Sequence, residues 1–219
     1  MLEEWLNPIK VSAFARDYLR TQPYASPSSA NRAMAIFGWD TLDRLLTRNP
    51  PDVLVVARGK LLEVPTPRGL GEALELLTSG VGLVIRRAEK VDDVVAGLAA
   101  SVTRHIPGEV HVQLIVTPAG TYGFGWHYDD EDVFIVQTKG SKDYFFRGNT
   151  VERERPPGTA PDFTKFGNEA SPIGTTRLLA GDWLYIPARW WHAAKCIEDS
   201  LSISLGIFPD PSWLASINK

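Results

Sequence analysis

At 219 residues the chain is long enough for one well-buried domain and short for two, and 44% hydrophobic with 22% charged residues is ordinary globular composition. A formal net charge of −3 offers no basic footprint, so electrostatically driven nucleic-acid binding is not expected. The single cysteine, Cys196, excludes an intramolecular disulfide and a cysteine-based zinc site and fits a reducing cytoplasm; no run approaches the ~20 apolar residues of a membrane span, and the acidic start MLEEWLNPIK lacks a signal-peptide core.

Residues 1–50 read as helical and irregular. A helix over 11–20 places Phe14, Tyr18 and Leu19 at helical spacing, and another over 40–47 carries Leu42, Leu45 and Leu46 on one face, with the Pro/Ser loop TQPYASPSS between them. Short strands are expected at 52–56 and 60–64, joined at Arg58-Gly59 as a possible hairpin. Helices follow over 69–78 and 91–105. The second has Asp92 and Asp93 in its first turn and Arg104 and His105 in its last, as the helix dipole favours.

From Glu109 the texture changes. Short β-branched and aromatic runs alternate with Gly/Pro/Asp turns: VHVQLIVTP, the glycine-rich TYGFGWHYD, DVFIVQT, KDYFFRG, TTRLLA, WLYIPA and LSISLGIF. Many short strands with little helix indicate a β-sandwich or barrel. The expected organisation is one domain over 1–219, with a helical part (1–108) packed on a β core (109–209). A polar, proline-containing interruption over 149–173 is long enough to be functional or mobile.

His127, Asp129 and His192 carry the chemistry. In a strand, a His-x-Asp pair puts both side chains on one face, and the second histidine comes from a neighbouring strand after the Gly181-Asp182 turn. Two imidazoles and a carboxylate on one side of an ion leave positions open on the other, the arrangement of non-haem Fe(II) oxygenases. A lone His-x-Asp is common. Here it opens a strand-like run (Val133, Phe134, Ile135, Val136), Lys142 follows in a second run, and the return segment GDWLYIPARWWH ends on His192. The remaining histidines, His105 and His111, are expected to be structural or solvated.

HYDDEDVFIVQTKGSKDYFF (127–146), GDWLYIPARWWHAA (181–194) and LSISLGIF (201–208) together resemble the JmjC/cupin-type 2-oxoglutarate oxygenases. The likeness is greatest to their ribosomal-protein hydroxylase branch and its small bacterial relatives, and FARDYLRTQP (14–23) has the flavour of the same branch. The resemblance implies a double-stranded β-helix, a jelly-roll of two facing sheets, with His127 and Asp129 on the second core strand and His192 on the seventh. It implies Fe(II), 2-oxoglutarate and O₂. Family members bind the distal carboxylate of 2-oxoglutarate with a Lys or Arg fifteen positions after the first ligand, which here is Lys142; Lys139, in the KGSK turn, is its competitor. Ser202, ten positions after His192, shares a strand face with Ser204, and both are candidates to face the co-substrate, with Thr117 and Tyr122 as weaker ones.

The sequence ends soon after the last expected core strand, so the branch's dimerisation region and C-terminal winged-helix-like domain are not expected. The loop TPAGTYGFGWH is longer than in that branch and brings Phe124 and Trp126, either as core or as a wall of the substrate pocket. The expected activity is hydroxylation of an amino-acid side chain in a protein or peptide, and Asp130, Glu131 and Asp132 could attract a basic one. Two alternatives stay open: a hydroxylase of a free amino acid or natural-product intermediate, and a non-catalytic cupin-fold binding protein. Residues 149–173 are expected to form a flexible cover over the barrel mouth, with little apolar material to hold it down.

Overall fold

The computed structural model describes residues 1–48, 52–156 and 158–217. The chain opens with helices α1 (Leu2–Leu6) and α2 (Val11–Asp17), a short strand β1 (Tyr24–Ser26), and helices α3 (Asn31–Ile36) and α4 (Trp39–Arg48). Strands β2 (Asp52–Ala57) and β3 (Lys60–Leu61), helix α5 (Leu70–Thr78), strand β4 (Gly82–Arg86) and helix α6 (Asp93–Thr103) complete the first half. Then come β5 (Gly108–Thr117), β6 (Asp132–Lys139), β7 (Lys142–Arg147), β8 (Gly174–Leu178), β9 (Trp183–Ile186), β10 (Trp191–Cys196) and β11 (Ser200–Pro209), followed by α7 (Pro211–Ile217). No helix among the described residues is long and apolar enough to cross a membrane.

The strands form an antiparallel jelly-roll. One eight-stranded sheet runs β1-β9-β6-β11-β5-β4-β2-β3, and a three-stranded sheet runs β10-β7-β8. Period-two alternation sorts the large sheet's side chains. Phe134, Val136, Trp183, Tyr185, Leu201 and Ile203 face the helices, where they meet Trp5, Phe14, Leu42 and Leu98. Their neighbours Val133, Ile135, Leu184 and Ile186 face the small sheet and pack on Tyr144 and Leu178. On β11 this leaves Ser200, Ser202 and Ser204 on the inner face, all buried. A polar stripe inside a barrel is where a polar ligand is received.

The first half is less purely helical than its sequence suggests. β4 is hydrogen-bonded to β5 and β2 to β4, so both extend the large sheet, while β1 adds to β9 at the opposite edge. The division at residue 108 therefore cuts through a continuous sheet. GLVIR carries no strand signal of its own, because a short run that is apolar throughout has no period to report. The expected 58–59 hairpin is present, with Arg58 and Gly59 both at positive φ (50° and 74°), as a tight two-residue turn requires. Helix α6 starts where Asp92 caps it, accepting from the backbone N–H groups of Val94 and Val95.

The core strand that the resemblance implies for His127 and Asp129 does not extend over them. Gly123 and Gly125 hold φ of 56° and 76°, and the segment contributes only an isolated bridge between His127 and His192.

Candidate active site

His127, Asp129 and His192 converge. One candidate ligand atom from each lies within 4.8 Å of the others, and the two imidazole centroids are 4.3 Å apart. The bridge that brings them together is reciprocal: His127 N–H donates to the His192 carbonyl (3.1 Å) and His192 N–H to the His127 carbonyl (2.8 Å). Neither His127 nor Asp129 sits within β6; both precede it, held against the start of β10. Arg189, in the left-handed region at φ 64°, extends this clamp by donating its backbone N–H to the Asp129 carbonyl at 2.7 Å.

The imidazoles are pre-set as ligands. His127 Nδ1 lies 2.9 Å from the Gly125 carbonyl and His192 Nδ1 lies 3.0 Å from the Trp190 carbonyl. A carbonyl only accepts, so each Nδ1 carries a proton, and Nε2 is the nitrogen each ring leaves for a metal. His192 Nε2 is 3.5 Å from Asp129 Oδ2. Burial, and then the neighbouring His127, push the His192 imidazole down to about 4 against the pull of Asp129, so it is neutral at physiological pH. Neutral nitrogen and carboxylate oxygen form a donor set that fits a divalent iron.

Deeper in the barrel lies an uncompensated cation. Cross-strand partners share a face, and the pairs His192↔Phe146 and Cys196↔Lys142 put Lys142 on the same face of the small sheet as His192. Lys142 is 3% exposed, and its ammonium donates to Ser202 Oγ at 3.2 Å. Burial lowers its pKa to about 8, and the Cys196 thiol beside it opposes that shift. Among the described residues the ammonium has no carboxylate partner, and a buried cation of that kind fits an incoming dianion.

Tyr144, two positions along the same face, completes this group. It is buried, and its hydroxyl, pushed far up by burial, also reaches Ser202. The signal in the sequence that could find Tyr144 is the Lys-x-Tyr spacing, which places both side chains on one face of a strand.

The other candidate residues divide. Ser204 follows Ser202 on the inner face, at 8% exposure, and Thr117 pairs in register with Ser200 at the Lys142 end. Tyr122 is not drawn in: it is 54% exposed, with the Lys195 ammonium 5.7 Å from its ring centroid. Lys139 remains at the end of β6, beside Gly38.

The acidic run after the triad is not a solvated turn. Asp130 lies between Arg155 (2.5 Å) and Arg189 (3.2 Å). Glu131 is 2.7 Å from His111 Nδ1 and fills space that only Gly206 leaves open, since a Cβ there would overlap its carboxylate. Asp132 is wholly buried and accepts from Tyr185 Oη (2.5 Å), Arg20 Nε (3.1 Å) and Ala188 N (3.2 Å). All three are consumed by the protein itself.

The described residues of 149–173 reach the triad, where the Phe163 and His127 ring centroids are 6.2 Å apart, and they are fastened down rather than loose. Phe166 stacks on Trp126 at 4.3 Å, and Phe163 meets Tyr128 at 5.6 Å. Buried Glu152 accepts from Tyr128 Oη (2.5 Å), Lys165 Nζ (2.7 Å) and Asp162 N (3.1 Å). Pro157 lies outside the described residues.

Comparison with known proteins agrees with this geometry. Bifunctional lysine-specific demethylase and histidyl-hydroxylase NO66 of Dictyostelium discoideum is 33% identical over 56% of this chain and 24% of its own length. Ribosomal oxygenase 1 of Danio rerio is 25% identical over 97% of this chain and 41% of its own. The chain thus spans less than half the length of these curated relatives. Among solved structures, YcfD, a ribosomal oxygenase from Escherichia coli in complex with cobalt and 2-oxoglutarate, superposes with TM-score 0.65 at 20% identity, over 95% of this chain and 54% of that one. That likeness supports the jelly-roll. The JmjC domain matches residues 89–214, from the turn before α6 into α7, a stretch that takes in the triad and Lys142 and covers more than half of the sequence, and the chain belongs to that family.

Proposed function

We propose that the protein is an Fe(II)- and 2-oxoglutarate-dependent oxygenase that hydroxylates an amino-acid side chain of a protein. The observation that carries this reading is the pairing of two elements in one barrel. His127, Asp129 and His192 offer converging, correctly protonated ligand atoms, and Lys142 waits on the same inner face without a counter-charge. The first three would hold the iron, and Lys142, with Ser202 and Tyr144, the distal carboxylate of 2-oxoglutarate. Iron bound there supplies O₂ chemistry, in which one oxygen atom enters a substrate C–H bond while 2-oxoglutarate becomes succinate and CO₂. The protein's share is positioning: the carbonyls of Gly125 and Trp190 fix the imidazoles, and Phe163 stands beside His127.

Relatives named ribosomal oxygenase and histidyl-hydroxylase make a ribosomal protein the first substrate to try. The strands of 1–108 are hydrogen-bonded into the sheet that carries the core, which supports a single domain. The free thiol Cys196 is consistent with the cytoplasm.

The test is metal binding followed by turnover. Wild-type protein should bind Mn(II) or Co(II) stoichiometrically and, with Fe(II), release succinate from 2-oxoglutarate. D129A and H192A should lose the metal while keeping the fold. Undiminished metal affinity in both variants would end this reading.

A further inference from the structure

We propose that Phe124 and Phe163 are the specificity-determining residues, two walls of the substrate slot, and that the side chain they admit is uncharged. This rests on the oxygenase reading above. Both rings stand edge-on to His127, with centroids 6.0 and 6.2 Å from its ring and interplanar angles of 63° and 75°. They arrive from unrelated parts of the chain, one from the glycine-rich loop ahead of the triad and the other from the short 3-10 turn Phe163–Asn168 of the covering segment. Among the described residues they make no ring contact with one another.

Each ring remains open, Phe124 at 41% and Phe163 at 44% exposure. The neighbouring aromatics do not: Tyr128 and Trp191 are almost wholly buried, and Trp126 is stacked on Phe166. An aromatic ring left partly in water forgoes part of the gain of burial, so two exposed rings beside one metal ligand call for an occupant. An aliphatic or flat side chain between them would bury both and bring its C–H bonds toward the triad.

The charges around the site argue for the same occupant. A lysine or arginine side chain entering the mouth would lose its hydration and need a carboxylate. Asp130, Glu131 and Asp132 are all already paired, and two guanidinium groups, Arg155 and Arg189, hold Asp130 at the rim. The site as built disfavours a cation.

The test uses peptide libraries with randomised flanks and one fixed central residue, His, Leu, Phe, Asn, Lys or Arg. Each is incubated with wild-type protein, Fe(II) and 2-oxoglutarate, and the gain of one oxygen atom is read by mass spectrometry. Uncharged centres should be modified at least about tenfold faster than Lys or Arg. F124A and F163A should each collapse that ratio, and F163Y should restore it. Preferential modification of Lys or Arg centres would overturn the slot, as would a ratio that both alanine variants leave unchanged. Peptide-independent succinate release by the wild type is followed in parallel. Its absence would remove the oxygenase reading itself, whereas its presence with a basic preference would remove only the slot.

Discussion

Lys142 sits where a lysine is costly. Its ammonium is buried against Ser202, with no carboxylate beside it among the described residues, and at neutral pH the cost of charging it there is roughly 3 kcal/mol. Its folded pKa, about 8, lies below the unfolded value of 10.5, so the unfolded chain binds more protons between those two pH values. Stability should therefore rise with pH across that window, and the full penalty applies below it. Replacing Lys142 by Met removes the penalty. The expected outcome is a ligand-free variant that melts above wild type at pH 7, with the difference closing as pH approaches 10. The same variant should lose the stabilisation that 2-oxoglutarate with Mn(II) confers on wild type, with affinity falling at least about thirty-fold. A ligand-induced shift that survives in K142M would move the anchor elsewhere. The sequence pointed to this residue through the family resemblance, which implies a Lys or Arg fifteen positions after the first ligand, and through its place in a strand-like run. Tyr122 misled because a glycine-rich loop has no register from which a side chain's direction can be taken.

The covering segment shows where element-scale reading falls short. Residues 149–173 are polar and rich in proline, and so looked loose. What fastens them is long-range: Phe166 needs Trp126, and Glu152 needs Tyr128, the residue between two of the triad members. No periodicity within the segment reports such partners. Lys165 and then Tyr128 hold the Glu152 carboxyl down to about 2, well below the usual carboxylate range. Its contribution should be complete above pH ~4.5 and fade as pH falls toward 2. E152A should leave Tyr128 Oη and Lys165 without their acceptor, at a local cost of about 1–3 kcal/mol. Amide exchange over 158–169 should then accelerate while β5 and β11 keep wild-type protection. Unchanged exchange in E152A would mean that the aromatic contacts alone hold the cover.

Over the whole molecule, the short β-branched and aromatic runs after residue 109 fall on β5, β6, β7, β8, β9 and β11, whereas TYGFGWHYD forms no strand and β10 has no run of its own. Such runs could not show which strands pair, nor that the first half would be sewn into the sheet. Phe14 lies within 5.0 Å of Tyr185 and 5.5 Å of Phe134, centroid to centroid, and Trp183 Nε1 donates to the Trp5 carbonyl at 2.9 Å. Asp132 draws these parts together: Arg20 from the N-terminal region, Tyr185 from β9, and the backbone of Ala188 in the turn that leads to His192. R20A removes one exposed end of an ion pair whose carboxylate keeps two other donors, so it should cost only about 1 kcal/mol. D132A leaves the buried Tyr185 O–H and the Ala188 N–H without their acceptor, although the Tyr185 oxygen still accepts from the Arg20 N–H, and should cost about 3 kcal/mol or more in denaturant unfolding. Because Ala188 begins the turn that sets Arg189 and His192, D132A should also weaken Mn(II) binding under conditions where the protein remains folded. A D132A variant with wild-type unfolding and wild-type metal affinity would show that the triad is held by its local bridge alone, independently of the helices behind the sheet.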